Sequence, residues 1–335
     1  MIDFIQGLPK VELHLHIEGT LEPELMFTLA KRNSVTIPFE SIEDVRRAYN
    51  FSDLQSFLDI YYRGANVLQK EQDFYDLTWA YFSKIQSQNV HHAEIFFDPQ
   101  THTDRGIPFE KIIKGIHRAQ VDALSKLGIS SHLIMCFLRH LSPESGLRLL
   151  NEAQPYKDWI IGIGLDSSEK DRPPSLFKKV FEQARERGYL AVAHAGEEGP
   201  ADYVWEALNL LKSLRIDHGV RSMDDPKLID YLVEKQIPLT VCPLSNIKLR
   251  VFSKMDDHNL KQLLDKGVCV TINSDDPAYF GGYMNENFIA AQHGLSLSKV
   301  DLFKICENSI EAAFQDEARK KYLKEELKAY YQKNA

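Results

Sequence analysis

The sequence predicts an α/β fold in which eight parallel strands close into a (β/α)8 barrel, the TIM barrel. Short runs rich in β-branched and apolar residues alternate along the chain with amphipathic stretches, which is typical of parallel strands joined by helices. Eight such units match a closed barrel. A doubly wound open sheet is the competing architecture, and it usually carries a Gly-rich phosphate turn after its first strand. The stretch "HIEGTLEP" at residues 16–23 has no G-x-G-x-x-G pattern and therefore favours the barrel.

The predicted strands begin close to the N-terminus and are spread over most of the chain. They are residues 11–17, 91–97, 131–138, 160–165, 190–195, 215–220, 238–244 and 268–274. Apolar residues at three- and four-residue spacing predict helices over 109–127, 174–187, 201–213, 225–235 and 257–266. No repeat, low-complexity tract or Pro/Gly/Ser-rich linker divides the chain, so we expect residues 1–335 to form a single domain.

Residues 36–89 are predicted to form a helical insertion after the first strand. Segments that follow a barrel strand lie over its C-terminal face, where active sites are found. A stripe of Leu54, Phe57, Leu58 and Tyr61 on one helical face would wall or cover a pocket there. The alternative, which the sequence leaves open, is that this stripe packs on the barrel and touches no ligand.

The charge balance disfavours a nucleic acid or an anionic membrane as the partner. Lys and Arg number 40 against 48 Asp and Glu, for a net charge of −8. No apolar run approaches the ~18 residues that span a bilayer, and "MIDFIQGLPK" lacks the pattern of a secretion signal. We therefore expect a cytoplasmic protein that acts on a small molecule. The sequence leaves open whether the chain forms a homo-oligomer.

Histidines and acidic residues recur at the ends of the predicted strands. In "VELHLHIEG" the alternation of a strand places His14 and His16 on one face. Strand five leads into His194 and Glu197, strand six into His218, and strand eight into Asp275 and Asp276. Each residue alone is an ordinary polar group at a strand end. Jointly, these residues predict one site at the C-terminal rim of the barrel.

Three imidazoles and one carboxylate suit Zn²⁺ or Fe²⁺ with an open position for water. Such a metal lowers the pKa of bound water towards ~7, which makes hydrolysis the natural chemistry. We expect one metal ion, because strand four runs into "GLDSSE" with no bridging Lys before Lys170.

Five motifs together resemble the adenosine/adenine deaminase family of metal-dependent hydrolases. They are "LPKVELHLHIEGTLEPELM", "AHAGEEGP", "RIDHGV", "VCPLSN" and "NSDDP", in that order over nearly the whole chain. The resemblance implies a (β/α)8 barrel that holds one zinc ion, or iron in its place, through the side chains of His14, His16, His194 and Asp275. It further implies that Glu197 donates a proton to the purine, that His218 orients and helps to deprotonate the attacking water, and that Asp276 hydrogen-bonds to the base.

Three departures from the nucleoside branch resemble the adenine deaminase branch, which converts adenine to hypoxanthine and ammonia in purine salvage. Glu18 stands where nucleoside deaminases typically carry Asp, and its longer side chain would fill the space of a ribose. The stretch "LDSSE" replaces "LAGDE", and Phe96 replaces an Arg. The alternatives that remain are adenosine, an N6-substituted adenine such as isopentenyladenine, and a purine-binding barrel without catalysis.

Overall fold

The computed structural model describes residues 1–334 and has the predicted barrel architecture. Within these residues, eight strands form one parallel sheet in which each strand pairs with its neighbour in the sequence. The strands are β1 Lys10–His16, β2 Val90–Phe97, β3 Ser130–Leu138, β4 Ile160–Asp166, β5 Leu190–Ala195, β6 Arg215–His218, β7 Leu239–Val241 and β8 Val270–Ile272. The sequential strand order confirms the predicted (β/α)8 barrel and excludes the doubly wound sheet.

Helices surround the sheet and complete the fold. They are α1 Ile2–Gly7, α2 Pro23–Asn33, α3 Ile42–Ala48, α4 Leu54–Ala65, α5 Glu71–Gln86, α6 Pro99–Thr103, α7 Phe109–Leu127, α8 Pro143–Glu152, α9 Lys178–Glu186, α10 Ala201–Glu206, α11 Pro226–Lys235, α12 Pro243–Lys248, α13 Leu260–Asp265, α14 Pro277–Phe280, α15 Met284–Leu295, α16 Lys299–Ala312 and α17 Glu317–Asn334. None of the helices within residues 1–334 combines the length and the apolar character that crossing a bilayer requires.

The seam between β8 and β1 is closed by residues just beyond the end of β8. The backbone N–H of Asp275 donates to the carbonyl of His14 at 3.1 Å, and the N–H of His16 donates to the carbonyl of Asp275 at 3.0 Å. Below them, the side-chain oxygen of Asn273 accepts from the N–H of Leu13 at 2.8 Å. The seam therefore fixes His14, His16 and Asp275 relative to one another through backbone hydrogen bonds.

Three of the strands are shorter than the sequence predicts. Strand β6 ends at His218, whose φ is +61°, and it is followed by Gly219 at +72°, so the backbone leaves the extended region there. Strand β7 gives way to α12, which begins at Pro243 inside the predicted 238–244 run. Strand β8 ends at Ile272, before the polar residues that close the seam. Early strand ends allow the following polar side chains to turn into the rim of the barrel.

Helix α4 begins with a capping box. The carboxylate of Asp53 accepts from the backbone N–H of Ser56, and the hydroxyl of Ser56 lies near the backbone of Asp53. Leu54, Phe57 and Tyr61 are buried on one side of this helix. This side faces the cavity described below.

A buried ion pair spans the barrel interior between β2 and β6. The guanidinium of Arg215 donates to the carboxylate of Glu94 at 2.7 Å and to the carbonyl of Leu13 at 3.1 Å, and neither charged side chain is exposed. Burial alone would raise the pKa of Glu94, but the charges of Arg215 and of His92, whose Nε2 lies 3.6 Å from Glu94 Oε1, lower it to about 2. The ionised form of Glu94 is therefore favoured by folding.

We predict that Glu94→Gln destabilises the protein by about 3–5 kcal/mol, because it leaves Arg215 buried without its counter-charge. Urea unfolding at pH 7 measures this loss. Ionised Glu94 stabilises the folded state fully above its unfolded pKa of about 4.3, and this stabilisation is lost as the pH falls towards 2. The free energies of unfolding of wild type and Glu94→Gln should therefore converge in acid. Glu110→Gln, which breaks an exposed pair with Lys114, is the control and should leave the midpoint unchanged. Equal midpoints for wild type and Glu94→Gln would contradict the prediction.

Candidate active site

A cavity lies at the C-terminal end of the strands and brings together most of the residues that the sequence predicts for the site. Its polar lining consists of His16, Asp98, Asp166, Ser167, His194, Glu197, His218, Asp275 and Asp276. Its apolar and aromatic lining consists of Leu54, Phe57, Leu58, Tyr61, Tyr62, Leu249 and Phe280. The predicted stripe on α4 thus forms one wall of the cavity.

Imidazole nitrogens converge on the carboxylate of Asp275. His14 Nε2 lies 3.3 Å from Asp275 Oδ1, and His16 Nε2 lies 3.6 Å from the same oxygen. His16 Nε2 is also 3.1 Å from His194 Nε2. Ligand atoms of His14, His194, His218 and Asp275 lie within 4.8 Å of one another, so His218 belongs to this crowded group as well.

The far sides of three of these rings face carboxylates. Asp217 lies 3.9 Å from His14 Nδ1 and 3.5 Å from His194 Nδ1, and Asp166 lies 3.5 Å from His16 Nδ1. Metal-ligating histidines usually present one nitrogen to the metal and the other to such an acceptor. His218, in contrast, approaches its carboxylate neighbours through Nε2, which lies 3.6 Å from Glu197 and 3.9 Å from Asp275. This difference supports the predicted ligand set of His14, His16, His194 and Asp275.

The donor set fits a divalent cation. His14 Nε2 is buried without a hydrogen-bond partner, which is costly unless another group satisfies it. Burial lowers the pKa of His194 to about 4, so its imidazole is neutral and able to ligate at pH 7. Burial alone would raise the pKa of Asp275, but the charges of His14, His218 and His16 hold it well below its usual value. A cation would occupy the point where these atoms converge.

Glu197 and His218 face each other beside this group. Glu197 Oε2 lies 3.6 Å from His218 Nε2, and Glu197 Oε1 has no hydrogen-bond partner. Burial raises the pKa of Glu197 well above its usual value, and the charges of Asp275 and Glu198 raise it further. Burial lowers the pKa of His218 well below its usual value. Burial thus favours the neutral form of both the carboxyl group and the neighbouring imidazole.

Glu169 holds the backbone on which Glu197 stands, and sequence reasoning missed it. Its carboxylate accepts four backbone N–H groups, from Gly196 at 2.9 Å, Glu197 at 2.9 Å, Glu198 at 2.8 Å and Gly199 at 2.6 Å. Gly196 has a φ of +74°, which this tight turn requires. The only sequence signal was the motif "GLDSSE", in which Glu169 is the last residue.

Glu18 is buried next to the cavity and is not among the residues that line it. One of its oxygens accepts from the backbone N–H of Asp98 at 3.2 Å and hydrogen-bonds to His102 Nε2 at 2.9 Å. Burial raises the pKa of Glu18 to about 7 and lowers that of His102 to about 3. The structure therefore shows a contact between Glu18 and the backbone of Asp98, which the sequence did not indicate.

Asp276 lines the cavity close to the glycine of the "HIEG" motif. A Cβ atom at Gly19 would lie 2.0 Å from Asp276 Oδ1, so only glycine lets the two segments approach this closely. Burial raises the pKa of Asp276 well above its usual value, and the charge of Asp275 adds to the shift. Asp276 Oδ1 is buried without a hydrogen-bond partner.

Comparisons with known proteins agree with this geometry. The sequence profile of the family described as adenosine deaminase matches residues 9–330. An adenine deaminase of Acinetobacter baylyi is 61% identical over 325 residues, which cover 97% of this chain and 98% of that protein. The crystal structure of an adenine deaminase from Arthrobacter aurescens superimposes with a TM-score of 0.96 at 47% identity, over 97% of this chain and all (100%) of the other.

A second solved structure bears on the metal. An amidohydrolase from Burkholderia ambifaria, described with bound zinc, has a TM-score of 0.92 and 27% identity, and the match covers 99% of this chain and 93% of that one. The fold of the present chain is therefore compatible with a zinc site.

We predict that His16→Asn lowers the affinity for a divalent metal at least about 10-fold, whereas His218→Asn retains the metal. The reason is that His16 Nδ1 faces Asp166 at 3.5 Å while His218 Nδ1 faces no acceptor. Metal content after dialysis, measured by inductively coupled plasma mass spectrometry, separates the two variants. Loss of metal from His218→Asn with retention in His16→Asn would overturn the ligand assignment.

Proposed function

Because the chain belongs to the adenosine deaminase family, we propose that it deaminates adenine hydrolytically to hypoxanthine and ammonia, a reaction of purine salvage. The names of its relatives support adenine over other aminopurines, since proteins that are 58–61% identical to it over nearly its full length are described as adenine deaminases. The proposal assigns a small-molecule substrate and one divalent metal ion, with zinc favoured over iron.

One observation carries the proposal. The carboxyl group of Glu197, the imidazole of His218 and three of the predicted ligands line a single cavity; these ligands are His16, His194 and Asp275. Hydrolytic removal of an amino group needs a proton donor, a proton acceptor and a means of activating water, and these groups correspond to the three requirements.

The residues divide the proton transfers between them. Attack of water at C6 of adenine moves electrons onto N1, so an acid must protonate N1. Glu197 is suited to this step because burial keeps its carboxyl group neutral. His218 Nε2, which is 3.6 Å from Glu197, accepts the proton of the attacking water. When bound, a divalent cation supplies the Lewis acidity that lowers the pKa of water.

Two further residues hold the reacting groups in place. The four N–H groups that donate to Glu169 fix the turn from Gly196 to Gly199, and so fix where the side chain of Glu197 begins. Asp276, with a raised pKa and an unpartnered oxygen, hydrogen-bonds to the base. The apolar side chains of α4 exclude water from the ring.

The experiment that tests the function is ammonia release from adenine, adenosine and isopentenyladenine, measured side by side on metal-loaded protein. We expect adenine to be strongly preferred and activity to be lost when the metal is chelated. A preference for adenosine or isopentenyladenine would mean that the proposed substrate is wrong, while the proposed mechanism would still apply. If none of the three substrates released ammonia, the proposed function would be refuted and a purine-binding role would be favoured.

We predict that Glu197→Gln keeps the bound metal and lowers kcat for adenine at least about 1,000-fold, because the amide cannot give a proton to N1. The adjacent Glu198 is exposed and offers a matched control. Glu198→Gln removes a carboxyl group from the same turn and should keep kcat within about threefold of wild type. Near-normal turnover by Glu197→Gln would remove Glu197 from the role of acid.

A further inference from the structure

Two buried carboxyl groups in the cavity have no part in the mechanism above. Asp98 follows β2 and Asp166 ends β4, and each is 2% exposed. One oxygen of each, Oδ1, is buried without a hydrogen-bond partner. Both residues line the cavity. Unpartnered buried carboxylate oxygens are costly, so a donor is expected to meet them when the cavity is filled.

The pair lies on the far side of His16 from the point where the imidazoles converge. His16 Nε2 faces His194 at 3.1 Å, whereas His16 Nδ1 faces Asp166 at 3.5 Å and Asp98 at 4.0 Å. Because both carboxyl groups also line the cavity, a flat ligand that has its reacting carbon at the convergent donors and lies along His16 brings its opposite edge to Asp98 and Asp166.

Asp98 is held firmly in this position. Its backbone N–H donates to Glu18 at 3.2 Å, and its Oδ2 accepts from the hydroxyl of Tyr61 on α4 at 3.2 Å. These two contacts use the backbone and one carboxylate oxygen, and they leave Oδ1 free. Asp98 is therefore preorganised to receive one more hydrogen bond.

The covalent structure of adenine supplies the matching donor. N3 lies across the six-membered ring from C6, and N9 is bonded to C4, which lies across from N1. With C6 and N1 at the reacting side, N9 and its proton are at the opposite edge. A free base carries this N–H, whereas a nucleoside carries carbon on N9 and has no proton to give.

We propose that Asp98, supported by Asp166, accepts the N9–H of the purine base and thereby selects the free base over N9-substituted purines. This inference rests on the proposed function and adds a specificity-determining residue to it. An N9-substituted ligand leaves the buried oxygen of Asp98 unpartnered, and sites built to hydrogen-bond a donor discriminate strongly against ligands that lack it.

The test compares hypoxanthine with 9-methylhypoxanthine, because binding of these products is measurable even when turnover is slow. Isothermal titration calorimetry on the metal-loaded wild type should show hypoxanthine binding at least about 10-fold more tightly. Asp98→Ala, which removes the acceptor, should weaken the binding of hypoxanthine about 10- to 100-fold and change the affinity for 9-methylhypoxanthine by less than about threefold. The kcat/KM for adenine should fall in parallel with the loss of hypoxanthine affinity.

A second buried carboxylate provides a matched control. Asp73 is fully buried at the start of α5, where it accepts from the backbone N–H groups of Gln69 and Lys70, both at 2.8 Å. Asp73→Asn should lower stability and leave the preference between the two ligands unchanged. Asp98→Ser, whose side chain is too short to reach as far, carries the same expectation as Asp98→Ala and replaces it if the latter does not fold, as judged by circular dichroism.

Three results would overturn the inference. The first is equal binding of the two ligands by wild type, and the second is an unchanged preference between them in both Asp98 variants. The third is loss of the metal from these variants, which would place Asp98 at the metal site instead. Failure of the proposed function is distinguishable, because it would appear as the absence of ammonia release from adenine by the wild type.

Discussion

The site depends on how the barrel is closed. Between β8 and β1 the backbone of Asp275 both donates to His14 and accepts from His16, so the closing hydrogen bonds come from residues whose side chains converge above them. The alternation of β1 then turns both imidazoles to the same side. Asp275 can make these bonds and still point its carboxylate inwards because its φ of +63° takes it out of the extended region. Closing the barrel in this way also brings together three of the four predicted ligands, and β5 brings the fourth, His194, to the same rim. The fold and the site therefore depend on the same backbone hydrogen bonds.

Burial of many acidic groups at one rim has an electrostatic consequence. Glu18, Asp98, Asp166, Glu197 and Asp276 have raised pKa values, chiefly because burial disfavours their charged forms. Asp275 and Asp217 are the exceptions, since the neighbouring histidines hold the pKa of each carboxylate low. The rim therefore separates into two carboxylates that favour the ionised form, both beside the convergent imidazoles, and a surrounding set of carboxyl groups that tend to stay neutral. Such a division suits a reaction that needs a cation at one point and a proton donor beside it.

The sequence predicted the barrel and the positions of the histidines because both depend on local patterns. Alternation placed His14 and His16 on one face, and strands that alternate with helices implied that their ends meet at one rim. Glu169, Asp166 and Asp217 were missed because nothing local distinguishes them from ordinary acidic residues. The role of Glu169 exists only when four N–H groups of a distant turn meet its carboxylate. The ends of β6, β7 and β8 were placed too far along, because positive φ values and the helix that starts at Pro243 interrupt runs that look extended.

The longer side chain of Glu18 acquires a different meaning in the structure. The sequence predicts that the longer side chain of Glu18 fills the space of a ribose, and in the structure its carboxylate reaches the backbone N–H of Asp98 and the ring of His102. An Asp at this position, one methylene shorter, would not extend as far towards those two groups. The extra methylene thus acts indirectly. It lets Glu18 anchor Asp98, which lines the cavity and has one oxygen without a hydrogen-bond partner. Tyr61 binds the other oxygen of Asp98 from α4, so the insertion after β1 and the end of β2 are joined at this carboxylate. Under the role proposed for Asp98, selection of a free base depends on these successive contacts, and Glu18 contributes to it without touching the substrate.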